Sequence, residues 1–156
     1  MAHYAELNAD NEVIEVLFVD NEVITNENGE EVEQLGIDHL HTHHGADRIW
    51  MQTSYNASFR GNYASIGDRY MTNVRTLNEE SVDIFIDPQP FASWSIDRVE
   101  PRWISPVGDA PELTLDEEKA GEFYVWDEQG WQQSSRSGDA TGWVLVNETT
   151  YRNYLD

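Results

Sequence analysis

Apolar positions in the first third of the chain arrive in two blocks separated by polar punctuation. His3–Leu7 alternates weakly and ends at Asn8-Ala-Asp-Asn. Val13–Val19 follows, its six apolar residues interrupted only by Glu15. Two short apolar runs around an Asn/Asp turn predict a β-hairpin. The second run is apolar enough to predict a strand that is central or covered on both faces. After the polar turn Asn26-Glu-Asn-Gly-Glu-Glu, Val32, Leu35 and Leu40 take up partial helical spacing, with Gly45 as a stop. A helix over Glu31–His44 is expected, capped by Asn26 or Asn28, with histidines at its negative end.

Downstream the pattern breaks into short strands. Ile49–Thr53 is one, and Arg69–Leu77 and Val82–Ile86 flank the loop Asn78-Glu-Glu-Ser. Asp87-Pro-Gln-Pro ends that hairpin, because proline removes a ladder donor. Phe91–Ile96 and Arg102–Ile104 predict another pair. Phe123–Trp126 and Trp131–Gln133 predict a tight hairpin around Asp127-Glu-Gln-Gly, with Gly130 in the left-handed position. Ser134–Gly142 reads as a loop, Trp143–Val146 as a strand, and Thr149–Leu155 as a short strand or docked terminal turn. Asp109–Glu122 is rich in proline and acid and predicts little regular structure. The expected fold is therefore mainly β: short antiparallel hairpins, one short helix in the N-terminal third, and an aromatic-rich irregular connector. The expected organisation is a β-rich core domain over 1–107, an acidic linker or arm over 108–122, and a β-hairpin extension over 123–156.

The connector is Trp50–Gly67. Asn56, Gly61, Asn62 and Gly67 disfavour a helix, and no two-residue alternation runs through it. Trp50, Gln52, Tyr55, Asn56, Arg60, Asn62, Tyr63, Ile66 and Gly67 are its candidate structural residues. Ring packing and backbone hydrogen bonds are expected to make it a clasp between the acidic first third and the later strands.

Composition narrows the function. The net charge is −21, and Met1–Asp47 contains no Lys or Arg, which argues against direct nucleic-acid binding. Lys119 is the only lysine, and the preference for arginine points to planar ion pairs with carboxylates, within the fold or across subunits. Cysteine is absent, so disulfides and thiolate metal sites are excluded. No apolar run is long enough to span a membrane, and no charged leader precedes an apolar segment.

Candidate chemistry is sparse. His39 and His43 share a helical face, and Asp47 is near enough in sequence to complete a metal site. No Glu follows the first histidine of a correctly spaced pair, so this is not a zinc-protease motif. Asp83 with Asp87, or Glu79 with Glu80, lacks any feature that would keep one carboxyl protonated for acid–base work. Asp10, Asp20 and the Asn26–Glu31 turn lack the ordered spacing of a calcium loop. Neither a catalytic residue nor a cofactor is expected. Trp94, Trp103, Trp126, Trp131 and Trp143 are candidates for a protein interface or for stacking against sugar rings.

The connector carries a resemblance. Trp50-x-Gln52-Thr53-Ser54-Tyr55-Asn56, followed by Arg60-x-Asn62-Tyr63-Ala64-x-Ile66-Gly67, resembles a family of small structural proteins of tailed phages that infect marine bacteria and cyanobacteria. The likeness continues through Asp83-Ile-Phe-Ile-Asp-Pro-Gln-Pro-Phe-Ala-Ser-Trp94, the segment after Trp103, and Tyr124-Val-Trp-Asp-Glu. Asn78–Ser81 and the stretch after Val107 depart from the family pattern. The resemblance implies a non-enzymatic virion component, made in the host cytoplasm and present in many copies. Its partners would be capsid, neck or tail proteins, with head decoration as the leading role. Tail, neck or fibre attachment and a glycan-binding fibre module are the alternatives.

Overall fold

A computed structural model describes residues 1–76, 78–134 and 142–155. The expected strand end at Leu77 and the expected loop residues 135–141 lie outside the described residues. The chain divides into two compact units, one formed by 1–88 with 96–102 and the other by 89–95 with 103–156.

The first unit is built on a three-stranded antiparallel sheet of order β2-β1-β3, from β1 (Ala2–Leu7), β2 (Val13–Val19) and β3 (Ile49–Thr53). The Asn8 carboxamide shapes the first hairpin: its Oδ1 accepts from the N–H groups of Asp10 (2.9 Å) and Glu12 (3.0 Å). Asn26 repeats the device on the N–H groups of Asn28 and Glu30, each at 2.9 Å. Short amides suit such turns because they supply a local acceptor for freed backbone donors. In β2, Ile14 is an extra residue at a register shift and is left exposed.

One face of the sheet carries two helices, α1 (Asn21–Ile24) and α2 (Glu33–His44). Ala2, Tyr4, Val19 and Trp50 pack there with Ile24 and Leu40. Gly36 lets α2 approach, since a Cβ at that position would lie 2.1 Å from the Tyr4 hydroxyl oxygen. The other face is covered by a hairpin of β4 (Arg69–Arg75) and β5 (Ser81–Ile86), whose Tyr70 and Phe85 join Ala64 over Ala5, Leu7 and Val13. The central strand is thus β1, and the more apolar β2 lies at an edge. Alanines at positions 2 and 5 allow neighbours to close on both faces of β1.

Two-residue strands β6 (Ser95–Ile96) and β7 (Trp103–Ile104) sit where the chain passes between units. The second unit pairs β8 (Phe123–Trp126) with β9 (Trp143–Val146). It also holds three helices, α3 (Leu115–Lys119), α4 (Glu128–Gln133) and α5 (Glu148–Leu155).

These helices correct the mainly β expectation: the fold is mixed α/β, with five helices among the described residues. The reason is capping. Thr114 and Glu117 form a reciprocal capping box ahead of α3. The Asp127 carboxylate accepts from Gly130 N–H at 2.9 Å, so Asp127–Gly130 starts a helix instead of turning a hairpin. Asn147 and Thr150 exchange side-chain and backbone bonds of 2.8 and 2.9 Å at the start of α5. Each cap satisfies first-turn donors that otherwise have no partner in the helix. No helix among the described residues is long and apolar enough to cross a membrane.

Candidate functional site

The connector after β3 is fastened by its polar groups. Thr53 Oγ1, buried, accepts from the Ala64 N–H at 2.9 Å. Ser54 Oγ accepts from Ser58 N–H (2.9 Å) and donates to Asn56 Oδ1 (2.6 Å). Arg60 pairs with the Glu33 carboxylate at the start of α2 and donates to the Gln52 carbonyl at 3.0 Å. The Arg60 carbonyl accepts from Phe85 N–H at 2.9 Å. The Asn62 amide bonds the carbonyls of Phe85 (2.9 Å) and Pro101 (2.8 Å). Gly67 N–H donates to the Val13 carbonyl at 2.8 Å.

The large side chains behave differently. Trp50 is buried, but Tyr55 is 69% exposed, Phe59 42%, Tyr63 39% and Ile66 72%. Hydrogen bonds therefore fasten this segment from behind, and its rings face outward. In the segment expected to be a ring-packed clasp, Trp50 is buried while Tyr55, Phe59 and Tyr63 are exposed. The segment has carbonyls and amides to satisfy and reaches them only by turning its polar side chains inward.

Near these rings lies His3 of β1, which sequence reasoning did not single out. Its ring centroid is 6.0 Å from Tyr55 and 5.6 Å from Tyr63. Phe18 of β2 stands opposite His3 and is 64% exposed. The cross-strand register that joins Phe18 to His3 was in principle readable from the hairpin turn, but the arrival of Tyr55 and Tyr63 was not.

The five candidate tryptophans belong to the second unit. Trp126 and Trp131 are buried. Trp126 lies 5.8 Å from Trp94, 5.3 Å from Trp143 and 5.4 Å from Trp131, and Trp94 lies 5.7 Å from Trp143. Trp103 is half-buried on β7. Four of the rings thus pack on one another, which is the geometry of a small aromatic core. Glu128 ties this core together, accepting from Ser93 N–H and Oγ–H, Trp126 Nε1–H and Gln132 Nε2–H. Burial pushes its carboxyl up, but these bonds outweigh it and hold the group below the usual carboxylate range.

The His39 and His43 ring centroids lie 4.4 Å apart with their planes tilted by 58°. His41 Nε2 is 2.8 Å from the Arg48 carbonyl, and His44 lies 5.9 Å from Trp50. Among the described residues, no three His, Asp or Glu side chains converge to hold a metal ion, so His39, His43 and Asp47 do not form one. The arginines pair as their abundance over lysine suggests: Arg48 with Glu6, Arg69 with Glu12, and Arg75 and Arg98 with Glu79.

Comparison with protein-family models, curated proteins and solved structures gave no match.

Proposed function

We propose that this chain is a non-enzymatic virion structural protein that docks on the outside of a phage particle, in the leading case as a head decoration protein. The observation that carries this reading is the division of labour in the connector. Arg60, Asn62 and Thr53 anchor it inward, and Tyr55, Phe59, Tyr63 and Ile66 are displayed outward. A loop held rigid from behind with rings in front is preorganised for recognition, because little side-chain or loop freedom is lost on docking. Aromatic residues are enriched at interface cores. The likeness of this same segment to phage structural proteins gives the reading its setting. Many copies on a lattice would multiply a modest contact.

The glycan alternative needs several tryptophan faces in one open groove. Trp94, Trp126, Trp131 and Trp143 instead turn their rings toward each other, which favours assembly over sugar stacking.

Immunogold labelling of purified particles with an antibody to this chain tests the reading. Regular label over heads is the expected result. Label confined to the neck or tail would move the protein there, and absence of label from particles would refute the structural role.

A further inference from the structure

We propose that the open end of the β1–β2–β3 sheet is a docking site for an arginine-bearing segment of a basic partner protein. The inference rests on the assembly reading above and names the chemistry of the contact. Ala64, Tyr70 and Phe85 cover the sheet around Ala5, Leu7 and Val13, with Val16 and Met51 packed against them. His3 lies on the same face as Ala5, two residues along the strand. There the face is left as a shelf made by Phe18, His3, Tyr55 and Tyr63. Beside it is a cavity of about 320 Å³ whose lining includes His3, Glu31, Gln52, Ser54, Tyr55 and Phe59.

Two features select a guanidinium as the occupant. Exposed tyrosine and phenylalanine faces attract a planar, weakly hydrated cation, and arginine stacks on rings better than lysine does. The region is negatively charged: Glu31 is exposed and lines the cavity, and Met1–Asp47 contains no Lys or Arg. The same balance disfavours a second copy as occupant, because each chain brings a net charge of −21.

The test is an NMR titration of the full chain with the blocked tripeptide acetyl-Gly-Arg-Gly-amide and with its lysine and citrulline counterparts. Shifts confined to His3, Phe18, Tyr55, Tyr63 and their neighbours are expected. Half-saturation with the arginine peptide should come at a concentration lower by about fivefold or more than with citrulline. Phe18→Ser and Tyr55→Ala alter exposed side chains, so each should weaken binding and leave the rest of the spectrum in place. Equal binding of citrulline, shifts scattered over the acidic surface, or binding unchanged in both variants would overturn the proposal. So would concentration-dependent dimerisation that shifts the same residues without peptide. Peptide binding without particle labelling would remove the virion role and keep the site; labelling without peptide binding would do the reverse.

Discussion

Arg60 reaches back across 27 residues to grip the Glu33 carboxylate with both terminal nitrogens. Its guanidinium also sits 5.8 Å from the centre of the Tyr70 ring. One side chain thereby ties the irregular connector to α2 on one side and to the β4–β5 hairpin on the other. Both charged groups are about three-quarters buried, so removing one partner strands the other. Arg60→Ala should cost about 2–4 kcal/mol. Arg60→Lys keeps the charge but loses the planar fork, and should cost about 1–2 kcal/mol. Chemical denaturation measures both, and equal stability of all three proteins would refute the account.

Gly36 sets two effects against each other. Helix propensity alone makes Gly36→Ala stabilising by about 1 kcal/mol. The added Cβ would meet the Tyr4 ring and hydroxyl at 2.1–2.8 Å, and Tyr4 is fully buried and bonded to the Glu33 carbonyl at 3.1 Å. Overpacking of a closed core costs about 1–3 kcal/mol or more, so the net effect should be destabilisation. A gain in the denaturation midpoint would show that α2 can move away freely.

Within the connector, ring truncations should separate by exposure. Trp50→Ala should cost about 3–5 kcal/mol, as a large buried side chain does. Tyr63→Ala should cost about 1 kcal/mol or less, close to an ordinary surface change. A Tyr63 loss as large as that of Trp50 would mean that the outward rings carry the fold.

Alkaline pH should unfold the first unit through two phenols. Burial pushes Tyr4 up to about 12, helped by Glu33 and Glu31. Burial likewise raises Tyr70 to about 12, reinforced by its 2.6 Å bond to Asp83. The folded state holds these protons more tightly than the unfolded chain, whose phenols ionise near pH 10. Their stabilisation is complete below pH 10 and drains away as pH rises through about 12. Tyr70→Phe should flatten this decline in denaturation measured from pH 9 to 12.

Glu128 gives the second unit the opposite dependence. Its carboxyl is held low, so its stabilisation is present above the ordinary glutamate pKa and is lost as pH falls through the lowered value. Tryptophan fluorescence should report loosening around Trp126 in acid, and Glu128→Gln should make the signal less sensitive to pH there. An identical acid transition in the variant would assign it to other carboxylates.

Much of the first unit was legible in the sequence. The Asn8 turn, the Val13–Val19 strand, α2 up to Gly45 and the irregular character of Trp50–Gly67 all follow from local patterns. The rank of strands in the sheet does not. An apolar run such as Val13–Val19 signals burial, but the small residues of Ala2-His-Tyr-Ala decide which strand takes the centre. In the connector the ring content suggested internal packing, while the polar side chains settled which groups turn inward. In the second unit Thr114, Asp127 and Asn147 cap helices, where the neighbouring prolines, acids and Gly130 read locally as turns and loops. The approach of Tyr55 and Tyr63 to His3 depends on long-range closure, which no local pattern encodes.

The place of β1 has a bearing on how the chain is made. β1 pairs with Ile49–Thr53, and its Ala5 and Leu7 are roofed by Tyr70 and Phe85. The face that carries Ala5 and Leu7 cannot close until synthesis has passed Phe85, so these two side chains wait with unburied surface. Such non-local closure slows folding. The unbroken acidity of the first 47 residues keeps nascent copies apart by repulsion during that interval.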